Sequence, residues 1–435
     1  MSNTTNDTFH ITGLGGKRVL KGEVKVNGAK NAALKAQATA VLFGTPLTLA
    51  NMPDIADVQK LDELLEAMGM EITKEGKRKR TYNARHFSES VFPAHIAKHI
   101  RASVVATGPV LARTGKVVFP HPGGCVIGAR PIDFFLNGYK KMGAVVREGK
   151  SAYTIIAPRG GLRGAEIFFP KVSVTGTETF MMTATLAHGT TVLKNAAMEP
   201  EIVSLGNFLK ESGADISGLG TPTITIKGRG GKLLRARSAY TIPGDRIEAG
   251  SFCILVALAG RDVTVSGFNS EELDALLFML EDMGMNIEKE KRSVRLTAGT
   301  KTALKSASFT THEYPGFPTD LQAPMVTLLT QSEGETTVFE TIFEGRLRYT
   351  DELKFMGADI TLMDPHRALV RGPKALKGRT LESPDLRAGL AYVLAAIVAE
   401  GKSTIHAVSN IDRGYERVEE RLVSLGVDIE RVHQD

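Results

Sequence analysis

The feature that most restricts this chain is a phrase that returns six times: an amphipathic helix, a glycine, then a strand. The glycines are Gly69, Gly143, Gly213, Gly284, Gly357 and Gly426, separated by 74, 70, 71, 73 and 69 residues. Such regularity across 435 residues indicates one supersecondary unit used six times. Each glycine closes a segment with leucines and methionines at helical spacing, as in 58–68 and 416–425, and is expected to be the left-handed residue that ends a helix. Upstream of each such helix a short strand is expected, as at 47–49, 190–193, 262–265 and 403–405. Further upstream lies a helix of small residues, at 32–43, 102–112, 180–187, 249–259, 321–329 and 388–399. Alanine and glycine suit a helix buried on all sides, so each unit reads as roughly βαβαββ with its first helix facing inward.

A chain this long exceeds what one core supports, which leaves two domains or one strongly repetitive architecture. With 42% hydrophobic and 23% charged residues the composition is that of a soluble globular protein. Lysine and arginine exceed aspartate and glutamate by 54 − 48 = 6, which allows nucleic acid or small anions as partners. The one dense basic run, Lys77-Arg78-Lys79-Arg80, has no aromatic residue to stack a base and reads as a solvated strand edge, so nucleic acid is not expected. The first eight residues are polar and no apolar run has membrane-spanning length, so neither signal peptide nor membrane span is expected, and the cytoplasm is the expected compartment. Two cysteines make no disulfide framework. Cys253 lies in the apolar run 252–258 and is expected to be buried, which leaves Cys125 as the thiol in a reactive setting.

The repeat also aligns polar groups. Between 37 and 42 residues before each glycine, at the start of the buried helix, stand Lys30, Arg101, Ser173, Asp245, Asp320 and Arg387. Thirteen residues before the glycine, at the expected start of the second helix, two units carry Arg130 and Arg413. Free N–H groups already make a helix N-terminus positive, so cations placed there build an anion site rather than a cap. Asp245, Asp320 and Ser173 equally suit N-caps. Five basic residues at matched positions point to a polyanionic substrate.

Residues 122–133 read Pro-Gly-Gly-Cys-Val-Ile-Gly-Ala-Arg-Pro-Ile-Asp. Gly123, Gly124 and Gly128 predict a loop, and Arg130 favours the thiolate of Cys125; the plain alternative is a glycine-rich turn with an incidental cysteine. In Phe317-Pro318-Thr319-Asp320 a carboxylate follows a rigid turn at a helix mouth. Nearby cations would depress its pKa and leave an acceptor for a hydroxyl proton, although capping alone would also explain it. Lys30-Asn31 supplies an ammonium and an amide at the first helix start. The spacing fits neither a Walker A loop nor a dinucleotide fingerprint, and no Cys/His cluster has metal-ligand spacing, so neither metal nor cofactor is expected.

Taken together, 28–34, 101–103, 122–133, 317–320, 385–388 and 412–417 resemble the enolpyruvyl transferase family, in order and from about residue 10 to the C-terminus. The resemblance implies an α/β fold known as a two-domain inside-out α/β barrel, with three βαβαββ units per domain related by pseudo-threefold symmetry. It further implies domains at 30–243 and at 1–29 plus 244–435, with the active site in the cleft between them. The implied reaction is enolpyruvyl transfer from phosphoenolpyruvate with release of phosphate. The cysteine loop narrows the implied acceptor to the 3′-hydroxyl of UDP-N-acetylglucosamine, in the first committed step of peptidoglycan synthesis. Rival readings are a shikimate 3-phosphate acceptor, or a catalytically silent paralogue that binds a UDP-sugar.

By the same resemblance Lys30, Arg130 and Arg413 hold the phosphate and carboxylate of phosphoenolpyruvate, completed by Arg101 and Arg387. Asp320 assists deprotonation of the sugar hydroxyl. Cys125 acts as general acid at C3 or forms a transient adduct. Asn31, Pro131, Asp133, Ser173, Val174 and Ile342 hold the nucleotide sugar. Two positions depart from the family pattern: Phe134-Phe135 where histidine often follows the Arg-Pro-x-Asp motif, and Lys35 where proline commonly follows Ala-Ala-Leu.

Overall fold

The computed structural model describes residues 7–98, 103–121, 132–298 and 304–433. All six repeat glycines take positive φ: Gly69 +93°, Gly143 +89°, Gly213 +104°, Gly284 +106°, Gly357 +112° and Gly426 +102°. At Gly69 the amide donates to Glu66 O at 2.9 Å, and the next amide, of Met70, donates to Leu65 O at 3.0 Å. The same pair of bonds recurs at the other five, for example Gly426 to Val423 and Val427 to Leu422. These bonds satisfy carbonyls that a helix end otherwise leaves bare, and the turn requires a residue without Cβ.

Six of the helices, labelled in chain order, are the buried ones: α1 (Lys30–Thr39), α2 (Ser103–Thr114), α3 (Val174–Leu186), α4 (Arg246–Ala259), α5 (Gln322–Leu329) and α6 (Leu386–Val398). Every residue of α4 is buried. Small residues let such helices approach closely. A Cβ at Gly108 of α2 would lie 2.0 Å from Thr183 Oγ1 of α3, so only glycine fits there.

Each unit builds its own small sheet. In the third, Glu166–Phe168 runs parallel to Thr190–Lys194, which pairs antiparallel with Thr223–Lys227, and that strand pairs antiparallel with Asp215–Ser217. The spatial order is therefore first, second, fourth, third, with α3 making the parallel crossover. The same order holds throughout, with the first strand of the second of the six repeats reduced to a bridge between Val91 and Val118. The described strands thus form six separate sheets in a mixed α/β fold, and none of the six closes on itself.

The described residues divide into two compact units, one within 28–243 and the other made of 7–27 with 244–433. Two strands are displaced from sequence order. Tyr240–Thr241, last in the first unit's sequence, pairs with Leu47–Ala50 and so stands ahead of α1 in space. Thr8–Thr12, first in the second unit's sequence, fills the last sheet, between Lys402–His406 and Asp428–Val432. Leu20–Lys25 keeps its order ahead of α4 and pairs with Gly260–Ser266, although the whole first unit lies between them in the chain.

One helix start differs from expectation. Arg413 does not open the last amphipathic helix, which begins only at Val418; it ends a separate short helix, Ser409–Asp412. Arg417, at φ +41°, breaks the path between them. Arg387 likewise follows the true N-cap of α6, Asp385, whose side chain accepts from the amides of Arg387 and Ala388.

Candidate active site

In the second unit the Phe-Pro-Thr-Asp segment ends in a tight turn, Thr319–Leu321, just before α5. Pro318 is its N-cap, so Asp320 is not needed there. Its carboxylate instead faces two guanidiniums. Arg387 NH2 lies 2.8 Å from Oδ2, while Arg346 NH1 and NH2 lie 3.0 and 3.1 Å from Oδ1. Burial by itself raises the carboxyl's pKa, but Arg387 and then Arg346 outweigh it and hold Asp320 well below the usual carboxylate range. About a quarter of its side chain, 26%, stays exposed, which leaves room for a hydroxyl to approach.

Both arginines are held from behind. Arg346 NH1 donates to Thr319 Oγ1 at 2.8 Å, and that hydroxyl donates to Glu340 Oε2 at 2.8 Å. The other oxygen of the buried Glu340 accepts the amides of Ile342 and Phe343 at 2.8 and 3.1 Å. Ile342 is thereby fixed through its backbone. Arg387 NH1 donates to Tyr415 Oη at 2.8 Å, with the guanidinium 5.5 Å over the ring, and Ser251 Oγ stands 3.1 Å from the same hydroxyl. Arg413, two residues from Tyr415, is partly buried.

The first unit carries Lys30, Asn31, Asp133, Ser173 and Val174. Lys30 is the first residue of α1, whose N-cap Ala29 offers no side-chain bond, and Asn31 follows. Nζ of Lys30 pairs with Asp57 Oδ2 at 2.7 Å, so the ammonium arrives with a carboxylate partner that sequence reading did not anticipate. Ser173 N-caps α3 by accepting from Gly176 N at 3.1 Å, Val174 is that helix's first residue, and Asp133 opens Asp133–Lys141 in an exposed position. Asp245 is a plain cap, accepting the amides of Ile247 and Glu248. Cys125, Arg101, Arg130 and Pro131 lie outside the described residues. Cys253 is buried, and burial pushes its thiol up to about 12, so it is not a nucleophile at neutral pH.

Comparison with known proteins is consistent throughout the chain. The family model for EPSP synthase (3-phosphoshikimate 1-carboxyvinyltransferase) matches residues 15–422. A protein of Magnetococcus marinus named UDP-N-acetylglucosamine 1-carboxyvinyltransferase is 43% identical over 417 residues, covering 96% of this chain and 98% of its own. One of Koribacter versatilis with the same name is 44% identical over 417 residues, covering 95% and 94%. The chain belongs to the enolpyruvyl transferase family. Among solved structures, the enolpyruvyl transferase NikO from Streptomyces tendae is similar with a TM-score of 0.87 at 25% identity, covering 99% of this chain and all of its own. EPSP synthase from Acinetobacter baumannii shares the fold, with a TM-score of 0.74 at 18% identity and coverage of 98% and 100%.

Both departures from the pattern of enolpyruvyl transferases find partners in the fold. Phe134 packs against Phe135 and Phe169 with ring centroids 4.1 and 6.2 Å apart, and Phe135 stacks on Phe180 at 6.1 Å, so the pair joins an aromatic cluster above α3. Lys35 is buried in α1, with Nζ 3.2 Å from Oε2 of the fully buried Glu178 of α3. Burial pushes the Glu178 carboxyl up to about 7 against the pull of Lys35. Sequence reading missed Arg346, Tyr415 and Asp57. The signal for Arg346 was faint: a basic residue close to Ile342, off the repeat's matched positions. Among the described residues no group of three or more His, Cys, Asp and Glu side chains is placed to hold a metal, and no helix is long and apolar enough to cross a membrane.

Proposed function

We propose that this enolpyruvyl transferase adds the 3′-hydroxyl of UDP-N-acetylglucosamine to C2 of phosphoenolpyruvate and then expels phosphate, leaving an enolpyruvyl ether. The observation that carries the proposal is the near full-length identity, 40–44%, to proteins named for that reaction. The rival shikimate 3-phosphate acceptor is supported by the description of the family model alone.

In this reading Lys30, Arg101, Arg130, Arg387 and Arg413 bind the phosphate and carboxylate of the donor, where forked guanidinium bonds both orient it and offset its charge. Asp320 takes up the hydroxyl proton as O3 bonds to C2. Cys125 delivers a proton to C3, and loss of a C3 proton with departure of phosphate restores the double bond. Asn31, Pro131, Asp133, Ser173, Val174 and Ile342 hold the nucleotide sugar. We read each unit as one half of an inside-out α/β barrel, its three buried helices central and its sheets outside; pairwise packing of α4, α5 and α6 supports this. A reducing cytoplasm suits a catalytic thiol.

The deciding assay is phosphate release from phosphoenolpyruvate with each acceptor in turn. Release with UDP-N-acetylglucosamine and none with shikimate 3-phosphate is expected; the reverse outcome transfers the chain to the other branch of the family. Fosfomycin, an epoxide, should add its mass to the peptide bearing Cys125. An unmodified peptide under turnover conditions rules Cys125 out as the proton donor to C3.

A further inference from the structure

Arg413 ends a helix of four residues, too short to persist in water by itself. The next helix starts only after the left-handed break at Arg417. The segment between them must therefore be fixed from outside, and one side chain of the last strand, Asp428–Val432, does so. Arg431 NH1 and NH2 lie 2.9 and 2.7 Å from the two oxygens of Asp412. Its Nε and NH2 lie 2.7 and 3.1 Å from the two oxygens of Glu419. NH1 also meets Asp7 Oδ2 at 3.1 Å, and the guanidinium lies 5.0 Å over the ring of Phe9. Only 16% of the Arg431 side chain is exposed, so the group is confined as well as paired.

Asp412 and Glu419 stand on either side of Arg413 and Tyr415, and Tyr415 in turn accepts from Arg387. A planar fork can grip two carboxylates at once; an ammonium of the same charge cannot. We infer that Arg431 is a positioning residue for the donor: by gripping Asp412 and Glu419 it sets Arg413, and through Tyr415 steadies Arg387, against the anionic groups of phosphoenolpyruvate. Arg431 itself touches no substrate, and the inference rests on phosphoenolpyruvate being the donor.

The test is Arg431→Lys, which keeps the charge and loses the fork. The KM for phosphoenolpyruvate should rise about tenfold, with kcat reduced less than about threefold and the KM for UDP-N-acetylglucosamine unchanged within about twofold. A merely structural role would lower the melting temperature and the active fraction and leave both KM values alone. Should Arg431→Lys fail to fold, Asp412→Asn, which weakens the pair without stranding a carboxylate, must show the same selective rise. An unchanged donor KM in the folded variant overturns the inference while the function stands. Absence of phosphate release by the unaltered enzyme is a separate result that overturns the function, and the inference with it.

Discussion

Asp320 is governed by two cations rather than by the turn that presents it. Because its folded pKa is depressed, the stability it contributes is present above the unfolded value, about 3.9, and is lost only as pH falls through the folded one. Phosphate release by the unaltered enzyme should therefore show no acid limb from this group between about pH 5 and 8. Arg346→Met removes one clamp, so the carboxyl climbs toward its ordinary value, about 3.9, and an acid limb in kcat should enter below about pH 5 while the unaltered enzyme shows none from this group there. Superimposable acid limbs in parent and variant below about pH 5 would show that Arg346 does not tune Asp320. Asp320→Asn should lower kcat by about 10²–10⁴, the usual worth of a positioned base. Asp320 and Arg387 were legible because a motif and the repeat marked both. Arg346 was not, since it reaches Asp320 across 26 residues from a loop with no periodic position. Lys30 was legible as a cation at a helix mouth, and its partner Asp57, in the first turn of Ala56–Ala67, was hidden because nothing local pairs the mouths of two different helices.

Helix ends were the most readable elements, because a left-handed turn leaves one residue type without strain. Gly284→Ala and Gly426→Ala meet no atom closer than 4.0 and 3.9 Å, so each should cost only backbone strain, about 1–2 kcal/mol by chemical denaturation. Gly108→Ala drives a methyl into Thr183 and should cost more than either. Equal losses at all three would mean that the close approach of α2 and α3 relaxes freely. How α1 and α3 face each other was illegible: the small-residue pattern gave burial, and nothing in it paired Lys35 with Glu178. Lys35→Met leaves a buried carboxylate without its cation and should destabilise by about 3–5 kcal/mol, whereas Lys35→Met with Glu178→Met should return to within about 1 kcal/mol of the parent. The folded pKa of Glu178 is raised, so the native state holds more protons than the unfolded chain between about 4.5 and 7, and this group's contribution falls as pH rises through that interval. Titrating the denaturation midpoint in parent and double variant isolates that slope.

Six repeats could be counted in the sequence, but periodicity did not say how the chain closes them into units, and only the family resemblance implied a division. Strand pairing between distant parts of the chain, 191 residues apart for Tyr240 and Leu49, leaves no local trace, and it sets which pieces stand alone. Residues 28–243 contain every strand of three sheets, because Tyr240–Thr241 completes the sheet that α1 begins. Residues 244–435 lack two strands: Leu20–Lys25, parallel to Gly260–Ser266, and Thr8–Thr12, which is interior to its sheet. Removing an interior strand bares two rows of backbone donors and acceptors at once. Expressed alone, 28–243 should unfold cooperatively with the circular dichroism of a mixed α/β protein, while 244–435 should be unfolded or aggregated. Fusing 1–27 directly ahead of 244–435 should rescue the latter, since Asp245 N already lies 2.9 Å from Asn27 O and the joined ends need no long linker. A stable 244–435 without that segment would mean Leu20–Lys25 and Thr8–Thr12 are dispensable; failure of the fusion would mean that the second unit also needs the first in order to fold.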